Sequence, residues 1–164
     1  MNVLNREPER DAEASIDDVA ESFDLLGDWE QRYQYLIELG EELPPMPEVL
    51  KTEENWVKPC MSTVHVHAEP VPGDPERIRF LGDCDTPIIK GVLALLIDLF
   101  SNRTLDEIER MDVDRLFKRL NLEEHLSPSR HVGIYAIVDK MRERAAAAAA
   151  AIKGKPKDSE DLAR

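Results

Sequence analysis

The sequence predicts an α+β fold, a small antiparallel β-sheet packed against several α-helices. Three observations point to it. Residues 61–68 and 77–81 alternate polar and apolar side chains around a proline- and glycine-rich break, the pattern of a hairpin. The apolar residues on either side of that block recur at helical spacing. The run Ile88–Phe100 is apolar nearly all round, as a helix buried on most sides must be. A lone hairpin is marginal in water, so helices have to cover it.

The 164 residues suit one compact domain, expected over 15–151. Residues 1–14, with Arg6-Glu7-Pro8-Glu9-Arg10-Asp11, and residues 152–164 are polar and mixed in charge, and are expected to be disordered. Ser15 with Asp18 reads as a capping signature. The helix after it places Ile16, Val19, Phe23 and Leu26 on one face and ends at Gly27. Asp28 caps a second helix with Trp29, Tyr33, Leu36 and Ile37 at helical spacing, ended by Gly40, and the two helices read as an antiparallel pair.

Leu43-Pro44-Pro45-Met46-Pro47 is an extended connector, because its prolines remove amide donors and fix φ. The first strand runs to Ala68, Glu69–Pro75 is a long loop, and Arg77–Leu81 is the second strand. Thr86-Pro87 opens the buried helix, with proline at its first position. Thr104 with Glu107 forms a capping box, Asp112 caps a helix that turns Val113, Leu116, Phe117 and Leu120 inward, and Ser127-Pro128 opens the last helix. That helix carries Val132, Tyr135, Ala136, Asp139 and Met141 in its first turns, then the Ala145–Ala151 run, which has high helix propensity and little to bury.

Lys and Arg number 21 against 34 Asp and Glu, so the net charge is 21 − 34 = −13. Such a surface repels phosphate backbones and anionic lipid, which argues against nucleic acid and membranes and favours a partner with a basic face. No apolar run reaches the ~20 residues of a membrane span. The polar start of the chain lacks the apolar stretch of a secretory leader, so the expected location is the cytoplasm.

Two cysteines, Cys60 and Cys84, are too few for a disulfide framework. Cys60 follows Pro59 at the entry to the first strand, where Lys58 and His65 are the neighbours able to favour a thiolate. Local chemistry leaves two readings open for it, a reactive thiol or a small buried hydrophobe. Cys84 precedes a helix N-terminus that favours ionisation, but Asp83 and Asp85 oppose it, so an unactivated thiol is expected. His65 and His67 share one strand face, yet without a close cysteine pair no metal site is predicted. Neither a nucleophile signature nor a phosphate-binding glycine motif surrounds Cys60.

Three blocks occur in a fixed order: Cys60-Met61-Ser62-Thr63-Val64, then Gly82-Asp83-Cys84-Asp85-Thr86-Pro87-Ile88-Ile89-Lys90-Gly91, then His125-Leu126-Ser127-Pro128-Ser129-Arg130. Together they resemble the SufE family over roughly Val19–Arg142. The resemblance implies a sulfur acceptor that activates a cysteine desulfurase and carries persulfide sulfur on Cys60 for iron–sulfur cluster assembly. It implies that Met61, Ser62, Asp83, Asp85 and Arg130 support the loop or touch the partner, with Cys84 as a possible secondary thiol. If the two sulfurs approach to disulfide reach, with Cα atoms about 4.4–6.8 Å apart, Cys84 would be able to resolve a persulfide. No bound cofactor is implied; the pyridoxal phosphate belongs to the desulfurase. The partners implied are that enzyme and the iron–sulfur scaffold complex, with this chain a monomer or weak homodimer rather than an independent enzyme. Pro59 stands where the family has glycine, His65 where it has tryptophan, and Cys84 where it has serine. These departures define the alternative, a module that still binds the desulfurase or scaffold but has lost sulfur transfer.

Overall fold

The structure is a computed structural model that describes residues 12–162, with side chains through 154. The disorder expected for Met1–Asp11 and for Ala163 and Arg164 lies outside the described residues. Seven α-helices and three strands occur among those described, in the order α1 (Ala12–Asp24), α2 (Trp29–Glu42), β1 (Val64–Val71), β2 (Asp74–Cys84), α3 (Pro87–Phe100), β3 (Arg103–Thr104), α4 (Leu105–Arg110), α5 (Val113–Arg119), α6 (Leu122–His125) and α7 (Pro128–Leu162). The sheet is antiparallel in the order β1-β2-β3, so the fold is α+β as predicted.

The core is built around α3. Ten of its residues are buried, among them Leu93, Leu95, Leu96, Leu99 and Phe100, and each fully buried large apolar side chain contributes about 1.5–3 kcal/mol. One of its neighbours is α2, and the two helices cross at paired glycines: a Cβ on Gly91 would stand 2.0 Å from the Leu36 carbonyl oxygen, and one on Gly40 would stand 3.0 Å from the Gly91 nitrogen. Gly40 is therefore not the end of α2, which continues to Glu42, but the point of closest approach. The main partner of α2 is thus α3, while α1 packs on α3 and α5 and meets α2 through Phe23, whose ring stands against Trp29 and Tyr35.

Several local signals act where they were expected. Asp28 Oδ1 accepts from Gln31 N at 3.0 Å, Thr104 and Glu107 form the capping box, and Asp112 Oδ1 accepts from Arg115 N at 3.0 Å. Gly27 takes φ +80°, which ends the α1 turn at no steric cost. Ser15 differs. The helix begins at Ala12, and Ser15 is a buried position inside it whose Oγ accepts from Arg103 Nη2 at 3.1 Å. At the other end α7 is helical to Leu162, through most of the segment read as a tail. Its buried stripe is Ile134, Ile137, Val138, Met141 and Ala145, whereas Val132 is exposed.

The hairpin is longer and tighter than its prolines suggest. Val71 pairs with Asp74 across a two-residue turn at Pro72-Gly73, where Gly73 takes φ +83°. Pro70 is tolerated because β1 is an edge strand, and Pro75 falls in a bulge, since the register jumps from Pro70↔Ile78 to Val71↔Asp74.

Candidate functional site

Cys60 lies on a short loop that leaves and rejoins the sheet edge. Segment 55–57 runs beside β1, with Val66 N donating to Asn55 O and Val57 N donating to Val64 O, each at 2.8 Å. The second bond closes the base of the loop 58–63. Cys60 N donates to Val57 O at 3.4 Å, which turns the chain sharply through Pro59. Pro59 is the third residue of this turn, a position whose amide is not needed as a donor.

The far limb of the loop is fastened to the β2–α3 corner. Thr63 N donates to Asp85 Oδ1 at 2.9 Å, Asp85 N donates back to Thr63 O at 3.3 Å, and the Ser62 and Thr86 hydroxyls lie 2.6 Å apart. Three polar side chains, Ser62, Asp85 and Thr86, thus hold the loop beside the start of the most buried helix. Replacing Asp85 with alanine removes the acceptor and is expected to raise the alkylation rate of Cys60 at a cost of about 1 kcal/mol in stability, read by timed iodoacetamide labelling and by thermal unfolding.

Cys60 itself is half-buried and packs against the core, while Met61 beside it is exposed. Its sulfur rests on α7: a Cβ on Gly133 would stand 2.9 Å from Cys60 Sγ. Cys84 pairs with Val64 across the sheet and lies under the fastened limb. Its sulfur accepts from Thr86 N at 3.4 Å and donates to Thr86 O at 3.6 Å. Burial, helped by the nearby Asp85 and Asp83 carboxylates, pushes the Cys84 thiol up to about 11. On the order of one molecule in ten thousand would carry this thiolate at pH 7. Both cysteines are free thiols.

This difference sets a pH dependence. The folded Cys84 pKa lies above the unfolded value, so between about 9 and 11 the folded state holds the proton more tightly. The stability from that group is complete below pH 9 and declines as pH rises through 11. Mass-mapped alkylation at pH 8 is expected to modify Cys60 and leave Cys84 intact until the protein is denatured.

The expected neighbours divide into two sets. Cys60, Ser62, Cys84 and Asp85 come together. Asp83 does not join them; it meets Lys51 at 3.2 Å and Lys90 at 3.6 Å on another side of the corner. Burial opposes its ionisation, but the Lys51 hydrogen bond and the two ammonium charges outweigh this and hold its carboxyl below the usual range. Arg130 is exposed on the first turn of α7, one turn before Gly133, and its guanidinium has no partner among the described residues, so it makes no helix-start ion pair there.

Of the two groups expected to favour a Cys60 thiolate, Lys58 is engaged elsewhere and His65 has its pKa lowered. Lys58 pairs with Glu53 at 2.9 Å and lies over the Trp56 ring at 5.7 Å. His65 pairs through its backbone with Trp56, and burial together with Lys51 lowers its pKa. As the register partner of Asp83 it is one residue out of step with the Val64–Cys84 pair, so its side chain stands on the other face of the sheet from Cys84. His67 accepts from Asn55 Nδ2 at 3.4 Å and donates to Glu69 at 3.1 Å, so the strand histidines are tied into the sheet edge.

Sequence reasoning missed Thr63, Thr86 and Gly133. Only Gly133 had a readable signal, since a glycine inside a helix pattern asks for a close approach.

The site is thus an α+β domain with one half-buried thiol on a fastened edge loop and a second, buried thiol beneath it. Comparison with known proteins gives the family. The model of the SufE family, described as an Fe-S metabolism associated domain, matches residues 17–145, and the chain belongs to this family. An uncharacterized SufE-like protein of Rhizobium meliloti is 38 % identical over 133 residues, covering 80 % of this chain and 94 % of the relative. A second, from Rhizobium etli, is 39 % identical over 140 residues, covering 84 % and 94 %. A hypothetical protein from Thermus thermophilus, solved in solution, superposes with a TM-score of 0.66 at 24 % identity, over 81 % of this chain and 94 % of that one, and so shares the fold. The family ties the chain to iron–sulfur metabolism. No helix among the described residues is long and apolar enough to cross a membrane.

Proposed function

We propose that this protein accepts sulfur from a cysteine desulfurase as a persulfide on Cys60 and passes it on for iron–sulfur cluster assembly. One observation carries the reading: of the two thiols, only Cys60 stands on a surface loop, while Cys84 is buried and held protonated. The step balances without an oxidant. The Cys60 thiolate attacks the outer sulfur of the donor's persulfide, the donor's S–S bond breaks, and its electron pair leaves on the donor thiolate. Cys60 then carries the transferred sulfur, ready for a second transfer of the same kind.

Because Lys58 is paired with Glu53 and the lowered pKa of His65 favours its neutral form, ionisation of Cys60 at the moment of transfer is assigned to the donor's own groups. Met61, Val132 and Arg130 give the docking face two exposed apolar side chains and one exposed cation beside the thiol. The desulfurase holds the pyridoxal phosphate, and this chain contributes the acceptor rather than turnover of its own. The net charge of −13 favours a basic docking face on the donor. Cytoplasmic residence fits a functional free thiol.

The test is the rate at which a cysteine desulfurase releases alanine from cysteine, with and without this protein. Stimulation that saturates with concentration is expected. An unchanged rate alongside measurable binding would instead support the alternative, a docking module that moves no sulfur.

A further inference from the structure

We infer that Gly133 is a positioning residue for Cys60: the side chain it lacks is the space in which the Cys60 sulfur sits. The inference deepens the sulfur-acceptor reading and rests on it for its biological meaning, but the seat itself is testable without any partner.

Glycine inside a helix is unfavourable relative to alanine, so its presence within α7 needs a reason. Backbone conformation is not that reason, because the positive-φ glycines are Gly27 and Gly73. Contact is. The three atoms nearest to a Cβ built on Gly133 all belong to Cys60: Sγ at 2.9 Å, Cβ at 3.6 Å and Cα at 3.7 Å. The last two are ordinary van der Waals distances, and only the sulfur is in the way. Bare helix backbone thus forms the seat of the thiol.

The surroundings decide which partner yields if the seat is filled. On α7, Gly133 is followed by Ile134, Ile137 and Val138, all buried in the core, so the helix cannot retreat without breaking that packing. The loop is fastened at Val57–Val64, Ser62–Thr86 and Thr63–Asp85, on either side of its tip. The tip, Cys60-Met61, is held by the hydrogen bond of Cys60 N, by the apolar contact of Cys60 with the core and by the seat. A methyl group at position 133 therefore expels the sulfur and leaves the fold. Gly133 sets how much of the time the thiol is withdrawn onto α7 and how much it is offered outward.

The experiment compares wild type, Gly133→Ala, Cys60→Ala and the double variant. Gly133→Ala is expected to raise the iodoacetamide rate of Cys60 at pH 7.5 by at least about five-fold, the shift that an overpacking strain at the low end of its range produces. The Tm change caused by Gly133→Ala is expected to be less favourable with cysteine at position 60 than with alanine there. Without the sulfur the added methyl fits and the gain in helix propensity remains. The double variant keeps the test open if Gly133→Ala alone folds poorly.

An unchanged alkylation rate, or the same Tm change in both backgrounds, would overturn the seat. If the seat behaves as expected while the wild type takes no sulfur from a desulfurase, the seat stands and the acceptor function falls.

Discussion

Cys60→Ser is expected to abolish sulfur uptake and stimulation of the desulfurase while leaving Tm within about 2 °C of wild type. Serine keeps the size and polarity that the loop requires, and the bonds that hold the loop use neighbouring groups. Those bonds are Val57 with Val64, Thr63 with Asp85 and Ser62 with Thr86, and the Cys60 amide donor survives the change. What is lost is the sulfur nucleophile, for which an alkoxide is no substitute near neutral pH. Cys84 does not compensate, since its thiol is buried and titrates at about 11. Activity and stability are thus expected to separate cleanly, with turnover assays and a thermal melt on the same preparation as the check.

Gly91→Ala is expected to have the opposite profile, with the chemistry intact and the fold damaged. A Cβ there would lie 2.0 Å from the Leu36 carbonyl oxygen, 2.5 Å from its carbon and 2.8 Å from its Cα. These are backbone atoms of α2, so no side-chain rotation relieves the clash. The helices must separate, opening the core around Leu36, Leu93 and Leu96, all of which are fully buried. We expect a loss of about 3 kcal/mol or more, at the upper end of overpacking costs. For a chain of this length that is a fall in Tm of roughly 6–12 °C. A shift of less than a degree in calorimetry would mean that the helices do not meet at this glycine pair.

Gly91 also shows where sequence reading reaches its limit. The helical periods of α1 and α5 were legible because burial on one face leaves a repeating apolar pattern, α3 because it is apolar nearly all round, and caps such as Asp28, Thr104 and Asp112 because capping is local. Gly40 was misread as a stop because a glycine at a helix end and a glycine at a helix crossing look alike until the partner helix is placed. The hairpin was read too short because proline signals a break wherever it stands. Only the topology reveals that Pro70 sits on an edge and Pro75 in a bulge.

In the candidate site, Cys60 was legible through its block of flanking residues, and the start of α3 through proline at its first position. The separation of Asp83 from Asp85 was not. Asp83 belongs to β2 and faces Lys51 and Lys90, whereas Asp85 lies just past the strand, where the alternation of side chains ends and its carboxylate meets Thr63. Gly133 escaped because what it contributes is an absence, visible only once the loop and α7 are brought together.

The central claim, that Cys60 is the sulfur acceptor, is tested most directly by intact-protein mass spectrometry after incubation with a cysteine desulfurase, pyridoxal phosphate and cysteine. The account predicts that the wild-type chain gains the mass of one sulfur atom, that the gain is removed by a thiol reductant, and that Cys60→Ser gains nothing. An unmodified wild type in the presence of a desulfurase that demonstrably binds it, or an equal gain on Cys60→Ser, would contradict it.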